Sequence, residues 1–293
     1  MPSLIDLRRR IKSVKNTQQI TKAMKMVAAA RVRRTQDAIL SARPYALKML
    51  EVMNSLATRI DRDSHPLLKD RGDEHIEVLL ITADKGLCGS FNANVIRSAL
   101  DFMIENQAGH DIGLNLVGKK GREFFKRRNF KIIDEYIDLF PHIVYEHAMK
   151  IGNDIIAGFK SSELDAVYVI YNQFVSMISQ KVVIEQLLPI KELDFEETPA
   201  SADMPELHLD YIFEPESDEI LNQLLPRHVN YQIYRALLES AAAENAARMT
   251  AMDNATKNAG ELIDHLTLVM NRIRQEAITT EILEVVSGAD ALG

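Results

Sequence analysis

PRHVNYQIYRALLESAAAENAARMTAMDNATKNAGELIDHLTLVMNRIRQEAITTEILEVVS, Pro226 to Ser287, runs for roughly sixty residues with no proline after its first residue and one glycine, Gly260. Read at heptad spacing, one stripe passes through Leu238, Ala242, Asn245, Met249, Met252, Thr256, Ala259, Ile263, Leu266, Met270, Ile273 and Ala277. Asn245 and Thr256 alone interrupt an apolar or small face, a repeat that predicts a long helix with a coiled-coil seam. At 1.5 Å per residue such a helix extends ~90 Å, against ~11–12 residues for an ordinary globular helix. It cannot cover that stripe by itself and needs a partner of similar length.

The other end of the chain offers one. From Ser3 to about Ile60 a second apolar or small stripe runs Leu4, Leu7, Ile11, Val14, shifts phase to Thr17, Thr21, Met24, Ala28, and resumes as Ala38, Ala42, Tyr45, Met49, Val52, Leu56. Arg31 and Thr35 lie between, where the seam is weakest. Ser3 is placed to cap this helix, with Asp6 in the first turn where the helix dipole favours an acid. Pro44 predicts a kink, since it removes a backbone donor and crowds the turn before it. Two long amphipathic helices at opposite ends of one chain most simply pair antiparallel as a slender shaft.

Between them the pattern changes. His65-Pro66 and the charged Lys69–Glu74 stretch mark an exit, then IEVLLITA (Ile76–Ala83) reads as a buried strand. A helix from about Ala93 to Glu105, a strand at Ile112–Val117, a basic helix opened by Gly118 and Gly121, and a short strand at Phe130–Ile133 follow. A helix near Ile143–Phe159 then precedes the strand DAVYVIY and a last strand from Lys181 to Leu188. Alternating strands and helices predict a mainly parallel, Rossmann-like α/β sheet whose last strands are antiparallel. LHLDYIF, Leu207–Phe213, alternates as an edge strand does. From Glu192 to Glu219 the chain holds eleven acids and no Lys or Arg, with three prolines, and its first part reads as a solvated loop. Ser217 caps a short helix to Leu225, and Pro226 opens the long one at a position it tolerates. The expected organisation is therefore α/β plus long coiled coil: shaft helices 1–62 and 217–293 around a globular domain at 72–215.

Composition narrows the function classes. One cysteine, Cys88, excludes an intramolecular disulfide and suits a reducing compartment. No run of eighteen apolar residues occurs, so no membrane-spanning helix is expected. Residues 1–70 carry 15 basic and 6 acidic side chains while the rest carry 20 and 36, so the basic end is suited to an acidic partner. Nucleic acid is one such partner and an acidic protein surface another; no aromatic residue is interleaved before Tyr45 to stack bases.

Three features imitate chemistry. Asp84-Lys85-Gly86-Leu87-Cys88-Gly89-Ser90 follows a strand as a phosphate loop does, but lacks both the GxxxxGK[ST] and the GxGxxG spacing. Cys88 has no sequence-level base, so packing is the plainer role. His142 and His147 flank Glu146, but five residues of helix set the two rings about 140° apart, unsuited to one metal. No cofactor, metal or catalytic residue is expected.

Four segments carry a resemblance: IKSVKNTQQITKAMKMVAA at Ile11–Ala29, DKGLCG at Asp84–Gly89, ENAARMTAM at Glu244–Met252 and RQEAITTEILEVVSGA at Arg274–Ala289. In this order and helical context the chain resembles the gamma subunit of F-type ATP synthases, and the likeness extends over nearly its whole length. The chain lacks the cysteine-bearing insert of chloroplast members and a transit-like extension, which points to a bacterial form. The resemblance implies a non-catalytic rotor inside a ring of alternating alpha and beta subunits, with a globular foot beside epsilon on the c-subunit ring, at the cytoplasmic face of the plasma membrane. It places rotor–stator contacts at Met24, Arg248, Gln275, Thr279 and Glu281; from their charge, the basic clusters Arg8–Arg10 and Arg31–Arg34, with Arg33 and Arg34 foremost, are expected to face acidic loops of the ring. A nucleotide-binding enzyme with a coiled-coil arm, and a helical scaffold or nucleic-acid adaptor, are the alternatives left by the residues alone.

Overall fold

A computed structural model describes residues 3–57, 65–106, 109–190 and 217–290. Helix α1 spans Leu4–Ala57 and is followed by β1 (His75–Ile81), α2 (Phe91–Asn106), β2 (Asp111–Val117) and α3 (Lys119–Phe125). Then come β3 (Lys131–Tyr136), α4 (Tyr145–Lys160), β4 (Ala166–Phe174), β5 (Gln180–Leu188) and α5 (Ser217–Asp290). By contacts the chain divides into two compact units: Met1–Ala30 with Arg248–Gly293, and Arg31–Ala247.

The larger unit is built on a five-stranded sheet in the order β3-β2-β1-β4-β5. β1 pairs parallel with β2 and β4, β2 pairs parallel with β3, and β5 alone runs antiparallel, against β4. Helices cover both faces, so β1 is buried from Ile76 to Ile81 and reads as an apolar run broken only by Glu77. On one face Val78, Leu80, Leu114, Leu116 and Ile170 pack against Val95, Ala99 and Met103 of α2 and against Phe125. On the other, Leu79, Ile81, Val117, Val167 and Val169 meet Ile151, Ile155 and Phe159 of α4. Leu221, Leu225, Val229, Ile233 and Leu237 of α5, with Met49 and Met53 of α1, complete that second core. Each such fully buried side chain contributes about 1.5–3 kcal/mol.

Two expectations about the helices are corrected here. Pro226 does not open the long helix; it lies within α5, which begins at Ser217. The residues before the proline, Leu221 and Leu225, are buried in the core, so packing holds the turn that the missing N–H weakens. In α1 the buried positions of this unit are Val32, Ala46, Met49 and Met53, whereas Tyr45 is 53% exposed. The seam thus runs through Val32 and one residue past Tyr45. α1 is unbroken through Pro44. The strand expected at Leu207–Phe213 and the capping side chain expected at Ser217 lie outside the described residues.

In the smaller unit α1 and α5 run antiparallel. Thr21 Oγ1 and Thr256 Oγ1 share a 2.8 Å hydrogen bond, Lys25 Nζ donates to Asp253 Oδ1 at 2.5 Å, and Gln18 Nε2 donates to the Thr256 carbonyl at 3.4 Å. Around this polar layer the seam buries Leu7, Ile11, Ala28, Met252 and Ala259. Ser3 caps α1 as the sequence predicts: its hydroxyl accepts the Asp6 N–H at 3.2 Å and its carbonyl accepts the Leu7 N–H at 3.1 Å.

Candidate functional site

Doubly wound sheets bind ligands beyond the carboxyl ends of their strands, where the strand order reverses. Here that place is between β1 and β4, and the loop after β1 is the one that imitates a phosphate cradle. Thr82 anchors it: the Thr82 hydroxyl donates to the Val117 carbonyl at 2.8 Å and accepts the Gly121 N–H at 2.8 Å. Gly118 makes the close approach possible, since its φ is +89° and a Cβ there would lie 2.1 Å from the Thr82 carbonyl oxygen. Asp84 turns its carboxylate inward, accepting backbone N–H groups from Lys119 at 3.2 Å, Asp138 at 2.9 Å and Phe140 at 3.3 Å. It thereby serves the start of α3, whose preceding residue, Gly118, has no side chain to offer.

The crevice itself is filled. Ala83, Cys88 and Phe91 pack against Ala243 of α5, with Phe174 and Ala247 beside them. Cys88 is buried, with the Asn92 amide donating to its sulfur at 3.2 Å. A nucleotide would have to displace the helix. The alanine run 241–243 is what lets α5 lie this close, because a larger side chain at Ala243 would meet the loop. His147 is on α4 while His142 precedes that helix, so the two rings do not share one helical face.

The residues implied as rotor–stator contacts do not form a pocket. Met24 is half-buried beside the Thr21–Lys25 layer, and Arg248 is buried with partners of its own. Arg33 and Arg34 are exposed on α1 in the larger unit. Gln275, Thr279 and Glu281 are exposed on α5, with the Thr279 hydroxyl donating to the Gln275 carbonyl at 2.9 Å. Thr21 lies opposite Thr256, so the start of α1 at Ser3 falls opposite about Arg274. Among the described residues α5 has no companion beyond that level, and every residue from Arg274 to Ser287 is exposed. Met24 and Glu281 therefore sit at levels about 40 Å apart along α5.

Sequence reading missed the most conspicuous part of this segment. Ile278, Ile282, Leu283, Val285 and Val286 are exposed, Val285 at 72%. On α1, Ile20, Met26 and Val27 are also more than half exposed. The signal was present: these side chains fall outside the single seam that one partner helix can cover. Ala277, read as the end of that seam, is itself exposed.

A family model described as ATP synthase matches residues 3–292 of the chain. A curated ATP synthase gamma chain from Pelotomaculum thermopropionicum is 49% identical over 292 residues, covering 100% of both chains. Another from Solibacter usitatus is 49% identical over 297 residues, covering 99% of each. Among solved structures, a chain of the central stalk and c-ring of Tetrahymena thermophila mitochondrial ATP synthase superposes with a TM-score of 0.60 at 26% identity, over 80% of this chain and 99% of that one. A chain of the Euglena gracilis mitochondrial enzyme reaches a TM-score of 0.68 over 99% of this chain and 94% of its own, at 20% identity, a likeness of fold. With its paired terminal helices, its filled crevice and these relatives, the chain belongs to the ATP synthase gamma-chain family, the non-catalytic rotor subunits of the central stalk.

Proposed function

We propose that the paired ends of this chain turn inside a ring of alternating alpha and beta subunits, and that the sheet unit docks beside an epsilon subunit on a ring of c subunits. Proton-driven rotation of the c ring then presents different faces of α1 and α5 to three otherwise equivalent beta subunits and changes their nucleotide affinity in turn. The functional division is shaft at 1–62 and 217–293 and foot at 72–215. Met24, Arg248, Gln275, Thr279 and Glu281 meet the ring, and Arg33 and Arg34 face its acidic loops. The complex sits at the cytoplasmic face of a bacterial plasma membrane, and this chain reaches the membrane through its partners. Among the described residues no helix is long and apolar enough to cross one.

One observation carries the reading: the exposed apolar residues Ile278, Ile282, Leu283, Val285 and Val286 stand on a stretch of α5 that, among the described residues, extends past its companion α1. Such a surface needs an apolar sleeve, and a rotor needs a sleeve that grips without fixed anchors. The test is charge reversal on the exposed arginines. In the assembled complex, Arg33→Glu with Arg34→Glu should lower ATP-driven proton pumping several-fold while alpha and beta still co-purify. Pumping at the wild-type rate would remove these two arginines from the interface.

A further inference from the structure

β1 carries one ionisable side chain within its buried run. Glu77 is 4% exposed and alternates onto the sheet face shared with Leu79 and Ile81, the face covered by α4. On β2 the Asn115 amide, 2% exposed, donates its Nδ2 to Glu77 Oε1, while Asn115 Oδ1 is buried without a partner. On β3 Asp134 pairs in register with Asn115 and sets a second carboxylate along the same row. Tyr136, two residues on, donates its hydroxyl to Asp154 of α4 at 3.0 Å. From β4 this face receives Val167 and Val169, which are apolar. The titratable groups around Glu77 are thus Asp134, Tyr136 and Asp154. Among the described residues none of the influences on Glu77 comes from a cation.

We propose that Glu77 is a proton-uptake switch within the sheet unit: its neutral form suits the buried row beside Asn115 and Asp134, and its ionised form weakens the β1–β2–β3 side of the sheet. Proton uptake adds one O–H donor to Glu77, and Asn115 Oδ1, reached by turning the amide over, is the adjacent buried acceptor that lacks one. Ionisation reverses this and leaves a carboxylate out of water near a second carboxylate. Burial first, and the field of Asp134 second, push the Glu77 carboxyl up to about 7 against the opposing hydrogen bond from Asn115. For a carboxyl raised on folding, the stability it allows is present below the unfolded value near 4.5 and is lost as pH rises to about 7.

The experiment compares the full-length chain with Glu77→Gln by denaturant unfolding from pH 4.5 to 8. The wild-type unfolding constant, divided by that of the variant, should rise on the order of a hundredfold between pH 4.5 and 7.5 and then level off. Infrared titration should show a protonated-carboxyl stretch in the wild type that fades with a midpoint near 7 and is absent from Glu77→Gln. A ratio independent of pH, or a band that fades in the ordinary carboxylate range, overturns the proposal. Should Glu77→Gln fail to fold, Asp134→Asn decides, because Asp134 is exposed and its removal should move the band's midpoint downward. An unmoved midpoint overturns the proposal equally. Glu239 is another carboxyl raised by burial, but Asp134 is not among its neighbours, so the shift assigns the band to Glu77.

Discussion

Gly118 and Gly152 are places where one added methyl group would meet a close neighbour. At Gly118 the obstacle is the Thr82 carbonyl, and the positive φ adds backbone strain. At Gly152 on α4 a Cβ would lie 1.9 Å from Asn230 Oδ1 on α5, a buried atom with no hydrogen-bond partner to hold it. Gly152→Ala is therefore expected to cost ~1–3 kcal/mol, by moving Asn230, and Gly118→Ala more, because backbone must move. Denaturant midpoints at constant m-value measure both. His228 makes a prediction in pH. Burial, and then the Arg235 charge, push its imidazole down to about 4. The unfolded chain binds the proton first, so this part of the stability is present above about 6.5 and is lost as pH falls to about 4. His228→Gln should flatten that acid limb, a difference of up to ~3 kcal/mol between pH 7 and pH 4. Glu77 acts with the opposite sign over an overlapping range. The two slopes offset one another in the wild type near pH 5–6, and only the single variants separate them.

The helices of the smaller unit are joined through a polar layer as well as an apolar seam. Thr21 and Thr256 appear in the sequence as positions of two separate stripes, and in the structure they are one hydrogen bond. A part-buried polar pair of this kind fixes register more than it stabilises. The Thr256 hydroxyl also donates to the Met252 carbonyl at 2.7 Å, so it keeps a partner when Thr21 is changed. A double-mutant cycle with Thr21→Val and Thr256→Val should return a coupling of about 0.5–1 kcal/mol, read from unfolding free energies. A coupling near zero would leave register to the apolar residues alone. The long terminal helices, the mainly parallel sheet with its antiparallel last strand and Ser3 as a cap were legible because each has a local cause: period, alternation or a short-range hydrogen bond. The path of the seam past Val32 was not legible. From there α1 packs against the sheet unit, where Met49 and Met53 join a core built from α4, α5 and the strands, and a heptad count contains none of that geometry. Pro226 misled for a related reason, since its local preference for a helix start lost to the burial of Leu221 and Leu225.

At the scale of the whole chain, the rotor–stator residues were legible only as a resemblance. Their roles depend on surfaces of other subunits, so among the described residues nothing beyond the Thr279–Gln275 helix-surface hydrogen bond marks Gln275 or Glu281. What the chain does record is where its own packing ends. Residues 275–287 make no buried contact, so a chain ending at Arg274 should unfold at the same denaturant midpoint as the full chain within about 0.5 kcal/mol. The same truncation removes Ile278, Ile282, Leu283, Val285 and Val286, the apolar surface we assign to the sleeve. In the assembled complex, ATP turnover coupled to pumping should then fall several-fold although each subunit remains folded. Loss of coupling with stability intact separates a bearing surface from a structural element, because a structural element would lose both. A truncated chain that unfolds earlier would mean that the exposed segment contributes to folding after all. One that pumps at the full rate would leave Gln275, Thr279 and Glu281 without a part in transmission.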